Sequence, residues 1–173
     1  MPKPEFARDL HFPDLDALLD DAREIARQPD APTRGNWTPA QTIWHVARFV
    51  QFSVEGYPFS VSPLFKILGR LMKKSMTTKR MKPGVNLPTK VAAAVVPDPE
   101  TSMGDAIDLM EHWIGEARSR GFLPTNPMLG PMTRGQWVGL HCRHAEMHFG
   151  LIELDPAPAS KDQAVGETPG ATG

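Results

Sequence analysis

Cysteine is nearly absent: Cys142 is the single thiol in 173 residues. That excludes an internal disulfide and suits a reducing compartment. No apolar run approaches the length of a membrane span. Met1 to Asp14 carries charges on both sides of Phe6 and has no apolar core, so it does not read as a signal peptide. An excess of one charge is also missing. Nineteen Lys and Arg stand against twenty Asp and Glu, for a net charge of −1, which gives no global reason to expect nucleic acid or an acidic partner. There is no phosphate-cradling glycine loop, dinucleotide fingerprint, haem-attachment motif, internal repeat or useful strand-like alternation. With 18 prolines and 14 glycines the chain has too few for disorder and enough for long loops. A soluble cytoplasmic protein is expected, of a length that suits one domain with a real core.

What is present is helical periodicity. Asp14 can cap a helix to about Arg27, with Leu15, Leu18, Leu19, Ala22 and Ile25 in one apolar stripe. Thr38-Pro39-Ala40-Gln41 is a strong helix start: threonine caps, proline takes the first position and glutamine reaches back. That helix is expected to end near Glu55, and its apolar residues spread widely enough to imply burial on more than one side. Pro63 to about Lys74 predicts a short helix, and Lys79 to Pro97 predicts a loop. A third long helix starts at Asp98 or Ser102 and ends near Gly121. Thr133-Arg134-Gly135-Gln136 repeats the capping box and opens a last helix to about Glu153. Four amphipathic helices with long connections define an all-α bundle over 1–154, and the Pro-, Ala-, Gly- and Ser-rich stretch 155–173 predicts a disordered tail.

The last helix carries His141, His144 and His148 within a sector of about 60°, where a bundle helix ordinarily carries leucine. His144 and His148 are one turn apart, a spacing that lets two ring nitrogens meet on one cation. A single inward histidine is ordinarily a hydrogen-bonded core residue, so a metal reading needs a third imidazole from another helix. His45, at the edge of the apolar arc beside Phe49 and Phe52, is the candidate; taken alone it reads as a histidine at a helix boundary. His112 lies opposite its helix's apolar stripe and is excluded. Gly135, Gly139 and Gly150 fall on the outward side of the last helix, where they mark either close contact with another helix or subunit or chance composition.

Two segments resemble the DinB/YfiT-like metalloenzyme superfamily. Thr38-Pro39-Ala40-Gln41-Thr42-Ile43-Trp44-His45-Val46-Ala47 is similar to its second-helix start, and Leu140 to His148 is similar to its last-helix motif of two histidines four apart. The resemblance covers roughly Phe12 to Leu154 in the order and spacing of elements. It implies a four-helix bundle with a long crossover, a divalent metal held by His45, His144 and His148, and a homodimer. Better-known members are thiol-dependent transferases and isomerases. This chain departs from the commoner pattern: Phe149-Gly150-Leu151 follows His148, and the extra histidine, His141, lies one turn earlier. That puts the chemistry of this branch, and its hold on a metal, in question.

Three neutral imidazoles leave a cation its full charge and at least one open position. Nitrogen donors suit zinc or nickel, with iron a further candidate. A water at zinc in such a site is acidified to a pKa of about 7, and a thiol or substrate oxygen can take the same place. His141 is a candidate for supporting a ligand or moving a proton. No carboxylate is aimed at the site: Glu146, Glu153, Asp105 and Glu116 project away, and Glu55 sits at a helix end. A glutamate-assisted hydrolase is therefore not supported. Cys142 lies off the histidine face and reads as structural. The expectation is a metal-dependent transferase or hydrolase acting on a small polar molecule, the alternative a non-catalytic binding or association bundle. Residues 63–74 are apolar and basic. A solvated basic face on a helix packed over the bundle mouth is preferred there to membrane-surface contact.

Overall fold

The computed structural model describes residues 5–83 and 89–156. The expected disordered tail lies, beyond Pro156, outside the described residues. Among the described residues six helices follow in order: α1 (Leu15–Ala26), α2 (Pro39–Glu55), α3 (Pro63–Thr78), α4 (Thr89–Val95), α5 (Met103–Ser119) and α6 (Arg134–Phe149). Between α5 and α6 a two-residue antiparallel ladder pairs β1 (Thr125–Asn126) with β2 (Gly130–Pro131).

The helix starts are fixed locally. Asp14 accepts from the backbone N–H of Asp16 and Ala17 at the head of α1. At α2 and α6 the capping boxes close in both directions: Thr38 pairs with Gln41, and Thr133 with Gln136, at 3.0 and 3.2 Å in each case. These caps satisfy N–H groups that the first turn of a helix leaves free. Ser102 does the same for α5 through the N–H of Asp105.

A common core draws on α1, α2, α5 and α6. Leu18, Ile25, Ile43, Val46, Val50, Met110, Ile114, Ala145 and Phe149 are fully enclosed in it. A second, smaller cluster of Leu129, Met132, Trp137 and Leu140 lies under the β-ladder and beside α3. α6 runs between these clusters and meets α1, α2 and α3, so it has little solvated face. Its outward side is covered by the lead-in segment. The N–H groups of Ala7 and Arg8 donate to the Gly150 carbonyl, and Arg8 holds Asp21 at 2.7 Å.

Four expectations need correction. The stretch 79–97 is not all loop: Thr-Lys-Val-Ala-Ala-Ala-Val winds into α4, where three alanines supply the best helix propensity available. α3 runs one turn beyond Lys74, to Thr78. α6 stops at Phe149, with Gly150 as its C-cap, and Leu151 and Ile152 already belong to a turn and to a bridge with Thr33. Finally, α3 does not bury its apolar stripe over the bundle. Leu64, Phe65, Ile67, Leu68, Leu71 and Met72 are all exposed.

α3 touches α6 through small residues instead. A Cβ on Gly139 would overlap the Thr77 carbonyl oxygen, and one on Gly69 would overlap Met128. Gly139 is therefore a point of close helix approach, whereas nothing lies within 4 Å of the Gly135 position.

Candidate metal centre

α2 carries His45 two turns past its cap, and α6 carries His144 and His148 in its last two turns. Packing of the two helices brings the three rings together. Ring centroids are 5.1 Å apart for His45 and His144, 4.6 Å for His45 and His148, and 4.7 Å for His144 and His148. One ring nitrogen from each lies within 4.8 Å of the others, close enough to hold a metal ion. A tetrahedral ion bonded at about 2.0–2.1 Å holds its donors roughly 3.3 Å apart, so the rings would have to draw together to share one. The separately read stretches 38–47 and 140–148 thus converge at one place.

Two hydrogen-bonding facts support the fit. The Nδ1 of His45 lies 2.7 Å from the Val95 carbonyl at the end of α4. A carbonyl only accepts, so Nδ1 carries the proton and Nε2 keeps its lone pair. Ligand histidines are commonly oriented in this way through their other nitrogen. Conversely, the Nδ1 of His144 is buried and has no hydrogen-bond partner among the described residues. Such an orphan costs on the order of 1–3 kcal/mol, a cost that ligation of a cation through this nitrogen would offset.

Electrostatics keep the rings in ligating form. Burial lowers His45 to about 4, against the opposing pull of the Val95 carbonyl. His144 is held well below its ordinary value, first by burial and then by repulsion from His148, His45 and His141. His148 is lowered by burial and by His45. By area His45 is enclosed while His144 and His148 keep a partly open edge, yet surrounding protein dominates the titration of all three. Neutral imidazole is the form that binds a metal.

Aromatic rings wall the site. Trp37 stacks on His148 at 5.6 Å and 22° and lies 4.5 Å from His45. Phe49 stands 4.5 Å from His144 and 5.1 Å from His45. Phe49 was legible beside His45 in sequence. Trp37 was not, although its place just before the Thr38 cap puts it at the foot of the same helix. A surface depression along the 29–39 loop reaches Trp37.

The family model described as "Protein of unknown function (DUF1569)" matches residues 5–155. The chain belongs to this family. No curated protein and no solved structure matches it.

In this DUF1569 protein His141 stands apart from the triad. Its ring stacks on Trp137 at 5.7 Å and 14°, near Phe122, and its Nε2 lies 2.9 Å from Ser53 Oγ. The Ser53 hydroxyl donates to the Val50 carbonyl at 2.6 Å, so its oxygen accepts from His141. Burial lowers His141 to about 3.

The carboxylates are engaged elsewhere. Glu146 accepts from Arg143 at 2.5 Å and from the N–H of Phe12 at 2.6 Å. Glu55 accepts from Gln51, Asp105 from Ser102, Glu116 from Arg120 and Glu153 from Arg34. Among the described residues the histidine cluster includes no carboxylate. Cys142 is buried in the common core, and burial pushes its thiol up to about 12, which makes it unreactive. His112 is exposed beside Trp113.

Proposed function

We propose that this DUF1569 protein binds a divalent metal at His45, His144 and His148, on a DinB-like four-helix bundle. It would act as a metal-dependent transferase or hydrolase on a small polar molecule, with a thiol as one candidate co-substrate class. The observation that carries the reading is the convergence of three neutral imidazoles from α2 and α6 within 4.8 Å, one of them pinned by Val95. Zinc or nickel suits an all-nitrogen donor set, with iron next. When bound, the ion supplies Lewis acidity and positive charge at whatever position the three histidines leave open.

The chain's own residues would do the rest. His45 is oriented by α4, so its free nitrogen faces the other two rings. Trp37 and Phe49 exclude water from the flanks and strengthen electrostatic interactions inside. The resemblance to the DinB superfamily adds a homodimer to the proposal, and the single cysteine adds a reducing, cytoplasmic setting.

A second reading has its own support. Every acidic side chain weighed as a general base is tied to a partner away from the triad. A non-catalytic binding or association bundle with a structural metal is consistent with that. Elemental analysis of protein purified without a histidine tag tests the metal, with about one divalent ion per chain expected. Metal-dependent turnover in a thiol-transfer and hydrolysis panel, lost in His45→Ala, would separate the enzyme from the binding bundle.

A further inference from the structure

The outer face of α3 is apolar and open. Leu64, Ile67 and Leu71 are 73%, 59% and 78% exposed, and Phe65, Leu68 and Met72 accompany them. The helix is fastened by its opposite side. Gly69 packs on Met128, the Thr77 carbonyl sits against Gly139, and the Lys73 ammonium bonds the Pro131 carbonyl. At about 100° per residue the exposed apolar side chains fill an arc of roughly 160°, with Lys74 at one edge, Arg70 next beyond it and Lys66 on the opposite side. Single surface leucines need no explanation, but a contiguous helical stripe of six marks a contact site.

Charge identifies the occupant. No acidic residue occurs between Glu55 and Asp98, while eight Lys and Arg do. We propose that α3 docks on an anionic lipid surface. Its apolar face enters the boundary between headgroups and acyl chains, and Lys74, at the edge of that face, reaches the lipid phosphates. Among the described residues no helix is long and apolar enough to cross a membrane, so the contact is with the surface.

A second copy of the chain fits this face less well. A two-fold contact sets a patch against itself, and α3 has no acid to meet the lysines of its mate. One helix about 24 Å long also falls short of the roughly 800 Å² per partner of a stable interface.

Co-sedimentation of the full chain with vesicles tests the proposal. One vesicle set is phosphatidylcholine, and the other also contains roughly a third phosphatidylglycerol. Binding to the anionic set should exceed binding to the neutral set by about tenfold or more and weaken with salt. Lys74→Gln should weaken it by about fivefold, whereas Lys66→Gln, on the side of the helix turned from the lipid, should change it by less than about twofold. Leu64→Glu with Leu71→Glu should abolish it, with helical content and thermal midpoint unchanged because both positions are open. No binding, or equal binding to both vesicle sets, overturns the proposal. So does a dimer seen by light scattering that the double glutamate variant splits, which would assign the face to a second copy.

Discussion

The Nδ1–H of His45 donates to the carbonyl oxygen of Val95 over 2.7 Å, so α4 determines which nitrogen of His45 is free. Nitrogen-15 NMR at pH 7 should show His45 protonated at Nδ1. Metal content should fall from about one ion per chain in each of His45→Ala, His144→Ala and His148→Ala, whereas His112→Ala should retain it. Equal content in all four variants would defeat the assignment.

Acid should remove the metal and then weaken the fold. The unfolded chain takes up a proton at each histidine near pH 6.5. In the folded protein His45 does so only at about 4 and His141 at about 3. Between these values the unfolded state binds more protons, so stability is full above pH 6.5 and declines as pH falls toward 4. Each buried neutral histidine should cost the metal-free protein about 2 kcal/mol at pH 5 relative to pH 7.5. Denaturant melts across this range check the slope, and His141→Phe should flatten it.

Gly139 and Gly135 should respond to alanine in opposite directions. At Gly139 the added methyl meets the Thr77 carbonyl, so α3 must shift away from α6. A loss of about 1–3 kcal/mol is expected. At Gly135 the space is open, and alanine should add about 0.5–1 kcal/mol through helix propensity. Thermal melts of the two variants decide the matter.

Arg143 and Glu146 form a buried pair that also holds Phe12, through its N–H and its carbonyl. Glu146→Ala leaves the Arg143 guanidinium enclosed without its counter-charge and should cost about 3–5 kcal/mol. Metal content of the folded fraction should stay near the parent value, since neither residue faces the triad. Parallel loss of metal in fully folded protein would show that Glu146 supports the site after all.

Much of this arrangement was legible in the chain. Thr38 and Thr133 announce their helices because a capping box needs two residues at fixed spacing, and the geometry follows from that spacing. His144 and His148 share a face for the same local reason. That His45 would meet them was carried by a resemblance together with its position on an apolar arc. What escaped was non-local. Val95 lies fifty residues from its partner, on a helix only seven residues long, and no periodicity marks a carbonyl as a hydrogen-bond acceptor. In sequence Glu146 only projects away from the histidines, and its pairing with Arg143 escaped because the lead-in segment that covers it has no regular pattern of its own. The apolar stripe of α3 is visible in sequence, but amphipathicity does not say which face the rest of the protein will take.

The way residues 7 and 8 are laced to Gly150 has a kinetic consequence. A segment that precedes α1 is completed by the residue that ends α6. His45 leaves the ribosome about a hundred residues before its two companions, and contacts of such long range close slowly. During synthesis the nascent α2 must hold a histidine and its apolar neighbours without their partners, and only release of the C-terminal helix lets the cluster assemble. If the cluster captures an ion, it can do so only once α6 has been made.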